Sequence, residues 1–381
     1  MHSRRTFITA AVGAGLASPL AACAPPGAAE DAGEAKGRPA GGDAPTERAT
    51  FTKGWQDVPL AAGAEDARLH AVAAAGPDAA WTVGEQGRSG PTPGVPYAAH
   101  WDGRAWTPTP LGHLALTGPL TSVAAGSTDE AWAVGGNTLF TWSDGGWRPS
   151  DRPSGEGFTA VTAASDGRVW ALGGREGRPG VLHRAAAGGW TWLPPLPAKF
   201  ARTTVAAGVR HARDGSVWVF ATDAVARLAD GSWQVVPRPP GPMDFVSGLL
   251  PVAADDVWIT GASHGAGGLP GKPPSPLLQH YDGTRWTPVS APFVVGSLGD
   301  VVGDEEGRPA LIAGWDFWDG TRAHYLVWNG KGWSGERGPR AESQVTQTAL
   351  ASLPDGGGYW SAGGTGPQFA PTKQVRMERF A

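Results

Sequence analysis

Tryptophan recurs along this 381-residue chain in a two-part phrase, and that recurrence restricts the fold more than any other feature. The first part is D-x-x-x-W-x-V-G or a close variant. It appears as "PDAAWTVG" at Trp81, "DEAWAVGG" at Trp132, "DGRVWALGG" at Trp170, "DGSVWVF" at Trp218 and "DDVWITG" at Trp258. Two weaker copies are "GRPALIAG", with Leu311 in the tryptophan position, and "DGGGYWSAGG" at Trp360. The second part is a tryptophan after a Gly-containing turn, as in "YAAHWDGRAWTP" (97–108) and "LLQHYDGTRWTP" (277–288). It occurs at Trp106, Trp147, Trp190, Trp233, Trp286 and Trp333. Six of these follow the seven first parts. The seventh stands ahead of them all, in "GWQDVP" at Trp55.

A closed ring accounts for this displacement. If each phrase pair marks a four-stranded unit, the last unit, ending in "TKQVRMERFA", lacks its outer strand, and the strand at Trp55 supplies it. From each second-part anchor to the next first-part anchor the spacing is 26, 26, 23, 28, 25, 25 and 27 residues. From first to second it is 25, 15, 20, 15, 28 and 22. Variation therefore concentrates between the second and third strands. Runs such as "HAVAAAG" and "TSVAAGS" suit innermost strands at a crowded axis, "AWAVG" a second strand, and "DG" a hairpin turn between third and fourth strands. The 58 Gly and 35 Pro favour many turns and disfavour long helices. The fold expected is all-β, a seven-bladed β-propeller over residues 51–381 closed by its N-terminal strand, with most of the 19 Trp packed between blades.

Residues 1–50 carry an address. "SRRTFI", with Arg4 and Arg5 ahead of an apolar run to Leu20, has the charged and apolar regions of an export signal. The arginine pair resembles the twin-arginine consensus, and "LAAC" (20–23) resembles the bacterial lipobox, which implies that Cys23 receives a diacylglyceryl group. Cys23 is the only cysteine, so a stray thiol in an exported chain acquires a use. Residues 1–22 are then the signal peptide. Residues 23–50, after the cysteine nearly all Ala, Gly, Pro and alternating charge, form a flexible, disordered tether. A chain so addressed lies outside the cytoplasm, anchored to the outer face of the cell membrane.

The "VGG" or "LGG" ending the second strand, an aromatic in the third and the "WLPPLP" segment (192–197) resemble kelch and galactose-oxidase-like propellers over residues 51–381. The chain as a whole looks like the Trp-rich propeller lipoproteins exported by high-GC Gram-positive bacteria. The double glycine is clear only at 135–136, 173–174 and 363–364. Galactose-oxidase copper chemistry requires a cysteine joined to a tyrosine, and Cys23 lies outside the propeller. Sialidase Asp boxes, H-x-x-E-H and P-loop motifs are absent, and no Gly-His phrase recurs ahead of each Trp-Asp as WD40 repeats require. His100, His183 and His280 recur at or near one third-strand position, which assigns them to the repeat rather than to a metal. No cofactor or metal is expected. The net charge of −4, lower by two without Arg4 and Arg5, offers no basic field for nucleic acid.

The residues that break the repeat are the informative ones. Long connections between second and third strands fall in blades 5, 6, 7 and 1, which adjoin around the ring, so they form a wall over half of one face. Within it "GWDFWDGTRAH" (314–324) places Trp315, Phe317 and Trp318 beside Asp316 and Asp319. Aromatic faces with interleaved carboxylates suit sugar rings or a cationic peptide; packing and turn duties account equally well for Trp315 and the two Asp. His264, in the blade 5 loop, and Glu85, in blade 1, complete the candidate site. The expected function is a membrane-tethered recognition propeller, monomeric, binding a cell-wall glycan, peptide or protein partner. The alternatives are a hydrolase or lyase pairing Asp316 or Asp319 with Glu85 as acid and base, and a scaffold within an envelope complex.

Overall fold

The computed structural model describes residues 48–60, 64–90, 92–116, 118–153, 155–201, 208–238, 241, 244–265, 272–367 and 371–381. Arg4, Arg5, Cys23 and nearly all of the tether lie outside the described residues. Seven four-stranded antiparallel sheets form the blades of a propeller. Blade 1 runs from an inner strand, Arg68–Gly76, through Ala79–Gln86 and Val95–Trp101 to an outer strand, Trp106–Pro108. Blade 7 is built from Gln344–Ser352, Tyr359–Gly366 and Gln374–Phe380, and its fourth strand is Trp55–Val58. Trp55 pairs with Phe380 and Val58 with Met377, so the first strand of the propeller closes its last sheet.

Six of the seven interfaces between blades repeat one packing unit. The second-strand Trp of one blade shares a core cluster with the outer-strand Trp of the next: Trp81 with Trp147, Trp132 with Trp190, Trp170 with Trp233, Trp218 with Trp286, Trp258 with Trp333 and Trp360 with Trp106. Ring centroids lie 5.1–5.6 Å apart in the three pairs in edge-to-face contact. Bulky aromatics recur here because seven wedge-shaped sheets diverge outward, and only large side chains fill the widening gap. The histidines of the third strand are explained by the same unit. His100 lies 5.2 Å from Trp81, His183 5.2 Å from Trp170 and His280 4.4 Å from Trp258, each opposite its Trp in register. In blades 4 and 7 the same place is taken by Arg227 and Arg379, whose guanidinium groups sit 5.8 and 5.3 Å from the rings of Trp218 and Trp360.

Two local motifs have specific causes. The glycine ending the second strand stands where the inner strand bulges against it: a Cβ on Gly84 would lie 2.1 Å from the Arg68 carbonyl oxygen, and one on Gly261 1.9 Å from that of Phe245. The "DG" turns divide into two kinds, where the sequence suggests one. Asp144–Gly145 has positive φ at both residues (50° and 76°), the two-residue turn of a tight hairpin. Asp102 and Asp282 instead open four-residue turns, each accepting two backbone N–H groups on one carboxylate oxygen at 2.9–3.0 Å.

Candidate functional site

Strand direction decides what each face carries. Inner strands start on the face from which the connections between blades emerge, and the links between second and third strands return to it. On that face the links span residues 87–94, 264–274, 317–323 and 367–373 in blades 1, 5, 6 and 7, against 136–137 and 176–177 in blades 2 and 3. The long links are thus consecutive around the ring, as the spacing of the tryptophans implies.

Backbone bonds hold this wall in place. The blade 6 link is held between its neighbours by Phe317 N–H to Val295 O (3.1 Å), Val345 N–H to Gly320 O (2.7 Å) and Ala341 N–H to Thr321 O (2.9 Å). The blade 7 link is tied to the chain entering blade 1 by Ala67 N–H to Lys373 O (3.3 Å), Thr372 Oγ1 to Ala67 O (3.2 Å) and the ion pair of Lys373 with Asp66. Trp315, Phe317 and Trp318 form an edge-to-face series with centroids 6.0 and 5.0 Å apart, from the half-buried Trp315 to Trp318, which is 75% exposed.

The carboxylates of the candidate set divide by burial. Asp316 is buried; one oxygen accepts from Trp318 N–H (3.0 Å) and the other from Arg337 (2.6 Å), so it shapes the loop that presents Trp318. Asp319 accepts from the Thr321 hydroxyl at 3.0 Å and remains partly exposed. Glu85 is 1% exposed, bonded by Arg68 at 2.7 Å and Gly94 N–H at 2.9 Å. Burial by itself would raise its pKa, but the hydrogen bonds from His70 and Gly94 and the charge of Arg68 outweigh it and hold the value at about 2. His324, next to Asp316 and Arg337, is lowered to about 4 by burial first and then by the Arg337 charge, so it stays neutral at pH 7. His264 is half-buried, with its ring 5.8 Å from Phe245 and perpendicular to it.

Sequence reading missed four contributors to this face. Among the described residues, five large hydrophobic side chains are exposed: Val95, Val235, Phe245, Val294 and Trp318. All five belong to the loop-bearing face: Val95 opens a third strand, Phe245 is at the start of an inner strand, Val294 lies between blades 5 and 6, Trp318 is in the blade 6 link and Val235 ends an outer strand. Val95, Val235, Phe245 and Val294 carry no local signal, since an apolar residue at or near a strand end looks like any core position.

The axis itself is polar but occupied with structural work. A cavity of about 480 Å³ is bounded by all seven inner strands, mostly Ala, Val, Thr and Ser. Hydroxyls stitch neighbouring blades: Thr121 donates to Thr159 O (3.2 Å) and Thr260 to Gly299 O (2.5 Å). Arg210 of blade 4 reaches Asp300 of blade 6 at 3.4 Å. Among the described residues no three His, Cys, Asp or Glu side chains gather closely enough to hold a metal ion, and no helix is long and apolar enough to cross a membrane.

No known family profile matches the chain, and no curated protein matches it in sequence. Its fold is similar to that of solved propellers at low identity. YCF48 bound to D1 peptide is 12% identical, with 88% of this chain aligned to 99% of that one and a TM-score of 0.58. YCF48 from Cyanidioschyzon merolae is 17% identical, with coverages of 86% and 98% and a TM-score of 0.55. Streptogramin B lyase is 10% identical, with coverages of 85% and 96% and a TM-score of 0.56. These likenesses concern the fold.

Proposed function

We propose that this chain is a membrane-tethered, extracytoplasmic recognition propeller whose loop-bearing face binds a peptide, protein or glycan partner in the cell envelope. The observation that carries the reading is the segregation of every exposed large hydrophobic side chain among the described residues onto one face, with Trp318 75% exposed on a loop secured from both sides. Single exposed apolar residues are ordinary on protein surfaces; their concentration on one face marks a contact surface. A flat indole beside Asp319 offers a ring face to sugar C–H groups or apolar side chains and a carboxylate to hydroxyl or ammonium donors. A propeller of like fold, YCF48, has been solved with a bound peptide, which agrees with a peptide partner.

The acid and base alternative is less favoured. Glu85, bound to Arg68 and held at about pKa 2, is not a proton donor near neutrality, and Asp316 is taken up by Arg337. The scaffold reading predicts no small ligand and is an outcome of the test below.

Thermal shift and calorimetry of the full chain against muropeptides, oligosaccharides and envelope peptides test the site. A ligand of the folded state raises Tm. Trp318→Ala is expected to change stability by no more than about 0.5 kcal/mol and to weaken binding by about tenfold or more. Equal binding by both forms removes the ligand from this face. The absence of any shift, with a partner crosslinked to the same face in membranes, favours the scaffold.

The tether is our proposal from residues 1–50, with Arg4 and Arg5 directing export and Cys23 bearing the lipid. Cys23→Ser is expected to move the protein from the membrane fraction to the soluble one. Retention of the variant in the membrane would overturn lipidation at this residue.

A further inference from the structure

The interface between blades 6 and 7 departs from the other six. Elsewhere a second-strand indole fills the gap toward the next blade, and in most blades a His or Arg of the third strand packs on it. In blade 6 that position is Leu311, and the residue opposite it in register is Val327. Two aliphatic side chains replace an indole and its His or Arg cap. A cavity of about 360 Å³ opens beside them, walled on the blade 7 side by Tyr359 and Phe380, whose rings lie 6.3 Å apart.

Three charged side chains line the cavity. Asp304 and Arg308 satisfy each other at 2.8 Å. Glu336 is half-buried and has no hydrogen-bond or ion-pair partner for its carboxylate among the described residues. Its strand register explains why it is there: Glu336 pairs with Tyr325, so it shares the blade 7-facing side with Val327 and Leu311. The cavity thus combines an aromatic wall, the volume of a missing indole and one uncompensated carboxylate.

We propose that this cavity is a binding site for a small aromatic cation, a flat ring bearing an ammonium arm. The ring lies against Tyr359 and Phe380 in the space an indole fills in the other blades, and the ammonium meets Glu336. An aromatic anion is excluded because it would add a second negative charge beside a partly desolvated carboxylate. Burial alone holds the Glu336 carboxyl above its ordinary range, and an ammonium beside it would reverse that shift. The cavity is bordered by the turn at Asp304–Arg308 and by Gly330, which belong to the face opposite the loop wall. It is therefore separate from the contact surface around Trp318.

Calorimetry of the full chain with tryptamine, indole and indole-3-acetate tests the site. Tryptamine is expected to bind one to one and at least about tenfold more tightly than indole-3-acetate, with indole between them. Leu311→Trp, which restores the indole of the repeat, is expected to abolish binding. Glu336→Gln, at a partly exposed position that tolerates change, is expected to bring tryptamine and indole-3-acetate within about threefold of each other. Trp318→Ala is expected to leave all three affinities unchanged. No binding of tryptamine, equal affinities for amine and acid, or undiminished binding by folded Leu311→Trp would each overturn the proposal. If Leu311→Trp does not fold, the Glu336→Gln selectivity decides.

Discussion

A chain that begins at residue 61 fails to give a cooperatively folded monomer. The segment removed does more than complete a ladder. Trp55 stacks on Tyr325 of blade 6 with centroids 3.6 Å apart and planes 7° from parallel, and Val58 joins the core between blades 7 and 1. Ahead of the strand, Phe51 contacts Trp101 and Trp360 at 6.0 and 6.1 Å and lies under the Arg379 guanidinium. Arg48 pairs with Asp78 of blade 1 at 2.6 Å, and Ala49 N–H bonds Gly103 O at 2.8 Å. Loss of a fully buried aromatic costs about 3–5 kcal/mol; Phe51 and Trp55 are half-buried and cost less each, but with Val58 and the strand pairing their loss takes up much of the about 5–15 kcal/mol that a domain has in all. The strand Gln374–Phe380 would also become an exposed edge open to association. Size-exclusion chromatography with circular-dichroism melting is the check. A monomer that melts in one transition within a few degrees of the longer chain would show that the ring does not depend on this closure.

Arg376→Met is expected to destabilise the propeller by about 3–5 kcal/mol, because it leaves a buried carboxylate without its counter-ion. Glu378 is 0% exposed, accepting from the Tyr325 hydroxyl at 2.7 Å and from Arg376 at 2.5 Å. Arg376 also reaches Asp57 of the closing strand at 2.7 Å and the Pro339 carbonyl at 3.0 Å, so one guanidinium joins blade 6, blade 7 and the N-terminal strand. Burial pushes the Glu378 carboxyl up, and Arg376 opposes it. Removing the charge as well should therefore recover stability. The double variant Arg376→Met with Glu378→Gln, which keeps an acceptor for the Tyr325 hydroxyl, is expected to be more stable than Arg376→Met alone. Denaturant unfolding of both measures this. A single variant within about 0.5 kcal/mol of the parent, or a double variant less stable than the single, would contradict the account.

Much of this architecture is legible because a propeller repeats a short-range pattern. Seven anchors count the blades, and the misplaced Trp55 announces the closure. The constancy of one spacing against the variability of the other locates the long links. Each inference uses only distance along the chain, and antiparallel neighbours within a blade are also neighbours in sequence. The histidines at 100, 183 and 280 were readable as parts of the repeat on the same grounds, though their stacking on the anchor indoles depends on cross-strand register.

The site is less legible because its character rests on partners remote in sequence. Asp316 reads as a free carboxylate beside aromatics until Arg337 is found against it, and Glu85 reads as a channel-mouth acid until Arg68 and Gly94 close on it. Phe245 and Val294 have no local mark, yet both are exposed on the loop face. Leu311 is visible in the sequence as an irregular anchor. That it opens a cavity depends on Val327 standing opposite it and on Tyr359 and Phe380 facing it from the next blade.

The chain alone determines the number of blades, the place where the ring closes and the half of one face that carries long loops. These follow from periodicity and length, quantities that hydrogen-bonded strands conserve along the backbone. Tertiary structure decides which carboxylates are neutralised, which apolar residues reach solvent and where packing between blades is incomplete. Those depend on side chains from different blades meeting across an interface, where burial and charge are set by neighbours that the chain order does not reveal.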